Sequence, residues 1–183
     1  MYKVILLTIF VALATARVGL HRPVKNWPFH AGLGNSTTKL GQVIEGFNDY
    51  FHIENDTDID NCADIPLIRD LNKTFTDLNA SKPNPIALVS DVIAIYNDYH
   101  KIQNSCPQVA ASMAKFFGNF TTACRTEPKK TAERVGLNIA GHAVAFRALI
   151  KQFLEDYNAA KYYQTGQDVG NITSIILAGY IPQ

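Results

Sequence analysis

The chain has 183 residues, 47% of them hydrophobic and 18% charged, with a formal net charge of +1. That length makes one domain, long enough to bury a core without depending on covalent staples. Near-neutrality with no basic cluster argues against nucleic acid as a partner and against electrostatic attachment to a membrane surface.

The N-terminus reads as an export signal. Lys3 precedes an apolar run from Val4 to Leu13, and Ala14-Thr15-Ala16 follows. A charged start, an apolar stretch too short to span a bilayer and a small-x-small site predict a signal peptide over residues 1–16, cleaved after Ala16. Losing Lys3 with it takes the formal charge from +1 to zero. Downstream lie six Asn-x-Ser/Thr sequons, at Asn35, Asn55, Asn72, Asn79, Asn119 and Asn171. With Ser and Thr making about a tenth of the chain, its fourteen asparagines would give one or two by chance. The excess predicts N-glycosylation, with those asparagines at the surface. The expected location is therefore extracellular or the lumen of the secretory pathway. Five histidines would add positive charge in an acidic compartment.

Residues 17–38 read as an N-terminal arm carrying Pro23, Trp27, Pro28 and Phe29, with the two aromatics pinning it down. Residues 39–183 read as a single helical domain. Ser36 or Thr37 caps a helix bearing Leu40, Val43, Ile44, Phe47, Tyr50 and Phe51. An acidic loop follows, with Asp56, Asp58, Asp60 and Asp64. Counted from Asp56, its sixth and twelfth positions hold Asn61 and Leu67 where a calcium loop needs glycine and an acid. The favoured reading is a solvated loop whose Asp64 caps the next helix, with a weak calcium site as the alternative. That helix has Pro66 in its first turn and an inner face of Ile65, Ile68, Leu71, Phe75 and Leu78. Asn84-Pro85 opens another, through Ile93 and His100. Cys106-Pro107 opens a fourth, through Ala110, Met113, Phe116 and Phe120, which Gly118 can stop early.

The chain has three cysteines, Cys62, Cys106 and Cys124, and outside the cell two of them should pair. Cys106 and Cys124 flank a helical run that would hold them about 18 Å apart. A disulfide needs its Cα atoms within about 7 Å. Cys62 therefore pairs with Cys106, which is preferred, or with Cys124. The odd thiol is buried or links two chains. No Cys/His spacing suggests zinc.

Residues 131–163 carry the strongest helical period, with Val135, Ile139, His142, Phe146, Ile150, Phe153 and Tyr157 at steps of three and four. From Val135 to Ile150 the segment is apolar on nearly all sides, and Ala132, Gly136, Ala140, Val144 and Ala148 form a row of small residues. This predicts a buried hub with close helix contacts at Gly136 and Gly141. A helix of that length would run about 50 Å, so it should bend or stop between Tyr157 and Gly166. A last helix over 166–179 places Val169, Ile172, Ile175 and Ile176 on one face. No strand alternation appears, and the fold expected is an all-α bundle of about six helices around the long central one.

Asn61-Cys62 before an apolar helix, Ser105-Cys106-Pro107 opening another, and Tyr163-x-x-Gly166-x-x-x-Gly170-x-Ile172 near the end form a layout. It resembles uncharacterised secreted, helix-rich protein families of ciliate-type protists. The resemblance implies export and an all-helical fold, and brings no activity, cofactor or site residue with it.

No nucleophile elbow, zinc-protease helix or phosphate-binding glycine loop occurs, so an enzyme is the least supported class and no cofactor is expected. His142, on the apolar seam of the hub, is the titratable residue singled out: a hydrogen-bonded core histidine, or a ligand or pH-sensing group. The leading functional reading is a secreted, N-glycosylated structural or interaction module with a protein partner. The alternative is a carrier holding a lipid or other small apolar ligand between helices.

Overall fold

The computed structural model describes residues 36–53, 58–62, 65–80 and 85–181. The leader, residues 17–35 of the arm with Trp27 and Phe29, the sequons at Asn35 and Asn55, and Asp56, Asp64 and Asn84 lie outside them. Eight α-helices make up most of the described chain, and no strand occurs among the described residues. They are α1 (Lys39–Tyr50), α2 (Leu67–Asn79), α3 (Pro85–Ser105), α4 (Pro107–Phe116), α5 (Gly118–Thr126), α6 (Pro128–Gly141), α7 (Ala143–Asn158) and α8 (Tyr162–Ile176). A 3₁₀ turn, Ile59–Cys62, precedes α2. The protein is all-α.

Local chemistry explains most boundaries. Pro85, Pro107 and Pro128 each take the first position of a helix, where a missing N–H is harmless. The cap of α1 is Thr38, rather than Ser36 or Thr37; its hydroxyl accepts from the Gly41 N–H at 3.0 Å. Two helices close through a left-handed residue that is not glycine. After α1, Ile53 N–H reaches the Asn48 carbonyl and His52 has φ 55°. After α7, Lys161 N–H reaches the Asp156 carbonyl and Ala160 has φ 57°. Both are Schellman closures, built here on residues that dislike the left-handed region.

The expected helix over 131–163 is in fact two, α6 and α7, broken at His142 (φ −123°, ψ 22°). The break has a side-chain cause. The Asn138 carbonyl, which a continuing helix would give to the His142 N–H, instead accepts from the His142 ring Nδ1 at 2.8 Å. The backbone N–H of His142 turns to the Ile139 carbonyl. Nor is the segment buried all round. Val135, Ile139, Phe146, Ile150 and Phe153 are inside, while Leu137 is 72% exposed and Val144 49%. α7 ends at Asn158, within the interval where a stop was expected.

The helix that gathers the others is α8, which packs against α1, α7 and α6, most extensively against α1. Glycines set that crossing. A Cβ on Gly46 would sit 2.0 Å from the Tyr163 carbonyl oxygen, and one on Gly166 would sit 2.1 Å from that of Val43. The two backbones touch. Gly141, expected to mark close packing, has nothing within 4 Å of a modest Cβ.

Two apolar clusters flank this seam. An aromatic one joins Phe75, Val135, Phe146, Phe153 and Ile172 across α2, α6, α7 and α8. Phe75 and Phe153 meet edge-on with centroids 4.6 Å apart, and Phe153 stacks on Tyr157. An aliphatic one joins Leu40, Ile44, Ile59, Ile68, Ile102 and Val109. Within it Cys62 and Cys106 form a disulfide, with Cα atoms 5.7 Å apart. Cys124 is the free cysteine, buried in the aromatic cluster, where burial pushes its thiol upward.

Candidate functional site

The acidic turn has a structural task. Asp58 accepts from the Gln108 N–H at 2.9 Å and from the Val109 N–H at 3.2 Å, capping α4 from far away in sequence. Asp60 accepts from the hydroxyls of Ser36, Thr37 and Thr38. Those bonds, that of Ser36 foremost, hold its carboxyl below the usual range. Both carboxylates tie the turn to helix starts. Among the described residues no three His, Cys, Asp or Glu side chains gather as metal ligands would.

A second polar set lines α8. The Tyr163 hydroxyl donates to the Asp49 carboxylate across the α1 crossing. Burial, and then that carboxylate, pushes Tyr163 up to about 12. On the α7 side, Asp156 accepts from Gln152 Nε2 at 2.9 Å and from Lys161 Nζ at 3.1 Å. Asp168 of α8 lies against it. Both aspartates are buried, and one Asp168 oxygen has no hydrogen-bond partner among the described residues. Burial, and then the charge of Asp156, raises the Asp168 carboxyl to about 7. Asp168 thus holds its proton more tightly than an ordinary carboxyl, beside Asp156, which pairs with Lys161. The sequence pattern singled out neither Asp156 nor Asp168. The signal was present: Thr165, Asp168 and Ile172 fall at steps of three and four, and all three are buried.

α3 holds two more buried carboxylates. Asp98 pairs with Lys101 at 2.7 Å. Asp91 is reached by Lys73, yet burial still raises its carboxyl above the ordinary value.

His142 stands at the α6–α7 break, half-buried rather than in the core. Because a carbonyl can only accept, its Nδ1 carries the proton. Asn138, a polar blemish in the sequence pattern, donates to the Ile176 and Ala178 carbonyls at 3.2 and 3.1 Å and so closes the C-terminal end of α8. His52, His100 and His142 stand on three separate elements: the end of α1, an exposed face of α3 and the α6–α7 break. Of the sequons, Asn79 and Asn119 are exposed, whereas Asn72 and Asn171 are half-buried.

One concavity has a distinctive lining. A half-open cleft of about 230 Å³ lies between the start of α1, the approach to α2 and the α7–α8 turn. Leu40, Ile65 and Ile68 make its floor, Tyr157 and Tyr162 one wall, and Lys39 and Arg69 its charged rim. The tyrosine rings meet edge-on, 6.2 Å between centroids, and Lys39 Nζ stands 5.4 Å from the Tyr162 centroid.

The fold and these features define an all-α helical bundle with one disulfide. No protein family model, curated protein or solved structure matches the chain. No helix among the described residues is long and apolar enough to cross a membrane.

Proposed function

We propose that the protein is a secreted, N-glycosylated interaction module that offers one face of a helical bundle to a protein partner. One observation carries the reading: Leu137 and Val144 point outward, 72% and 49% exposed, from a segment whose sequence is apolar on nearly all sides. The leader-like N-terminus, the surplus of sequons, the exposure of Asn79 and Asn119 and the Cys62–Cys106 disulfide all support export. The carrier reading has less support. The aromatics that could line an internal cavity pack on one another, with Phe51 and Phe116 centroids 4.5 Å apart and Phe75 and Phe153 4.6 Å apart. The cleft at the surface, about 230 Å³, falls below the size that suits a lipid-sized ligand.

Native mass spectrometry of protein purified from its own source tests both. The expected mass is the mature polypeptide plus glycans, without lipid; a retained lipid would replace the module reading with the carrier. A Leu137→Glu, Val144→Glu variant should be exported and unfold at an unchanged midpoint while losing any protein that co-purifies. Undiminished co-purification would remove this face from consideration.

A further inference from the structure

The cleft beside α1 has a wall chemistry that the interaction reading does not use. We propose that it binds a small aromatic carboxylate. Its interior offers the edges and faces of Tyr157 and Tyr162 above an aliphatic floor that includes Ile65 and Ile68, a setting that favours a flat ring over a flexible chain. Its rim carries two cations, Lys39 and Arg69, and none of the described residues that line it is acidic. That charge pattern selects an anion.

The two cations are set for the task in different ways. Lys39 is held over the Tyr162 ring at 5.4 Å, so its ammonium already stands at the mouth. Arg69 donates to Asp70 through Nε at 3.0 Å, a bond that does not use its two terminal nitrogens. A guanidinium edge matches the two oxygens of a carboxylate. Size narrows the class further. About 230 Å³ is room for one ring system with a short acid tail.

The test is an NMR titration of the full secreted chain with 3-phenylpropionate, indole-3-acetate and the uncharged 3-phenylpropanamide. Saturable shifts are expected at Lys39, Ile68, Arg69, Tyr157 and Tyr162, with a Kd of about 0.1–5 mM for ligands of this size. The amide should bind at least about fivefold more weakly, since it lacks the charge. Arg69→Gln and Lys39→Gln, both at exposed positions, should each weaken the acids several-fold and leave the amide unchanged. No saturation by roughly 20 mM, acid and amide binding alike, or shifts centred elsewhere would each overturn the assignment.

Discussion

Two helix junctions in this molecule use glycine in opposite ways. At the α1–α8 crossing, Gly46 and Gly166 bring two backbones into contact, and a methyl group on either would meet a carbonyl oxygen about 2 Å away. At the α6–α7 break, Gly141 faces open space. Glycine in a helix costs about 1 kcal/mol against alanine in both places. Only the crossing returns that cost in packing. At the break the glycine merely weakens a turn that the His142 ring has already diverted.

The contrast can be attacked directly. The largest effect is expected from Gly46→Val, which forces α1 off α8 and should cost about 4 kcal/mol or more, read as a fall in the urea midpoint. A loss under about 1 kcal/mol would mean that the crossing is wider than described.

The other side of α8 provides the next test. The Asp168 carboxyl rises from 3.8 to about 7 on folding, so between those values the folded chain binds more protons than the unfolded one. Stability from this group is therefore full below about pH 4 and declines as pH rises toward about 7. The expected change is roughly 2 kcal/mol, below the full value of such a shift because buried groups relax. Asp168→Asn should flatten that slope. A slope that Asp168→Asn leaves unchanged would show that Asp168 does not titrate with a raised value in the fold.

Smaller gains should come at the loose junctions. Gly141→Ala should stabilise by up to about 1 kcal/mol, because the added methyl meets nothing and helix propensity improves. Were it destabilising instead, the break would need glycine for a reason other than space. Ala160→Gly should add about 0.5 kcal/mol by relieving a left-handed alanine, a rise in Tm of only a degree or two.

Periodicity made the helical class and most helix positions legible in the sequence. Prolines 85 and 107 showed where two helices begin, and chain geometry narrowed the disulfide to Cys62 with Cys106 or Cys124. What stayed hidden was side-chain competition for backbone groups. Nothing in the pattern around His142 announces that its ring takes the Asn138 carbonyl, and so an unbroken hub was expected where two helices meet. The end of α1 was hidden as well, because His52 stands in a position that glycine usually marks. The row Ala132–Ala148 looked like a contact stripe, while the glycines that set the contact were Gly46 and Gly166, far apart in sequence. Small residues show where a helix can be approached, and the partner has to be found in the fold. The cleft was equally invisible, because its walls come from three distant segments.

The crossing also bears on the order of events during synthesis. Its two halves are the first and last helices described, so their contact must wait until α8 has left the ribosome. Contacts so far apart in sequence slow folding. Until α8 arrives, α1 has its principal neighbour missing.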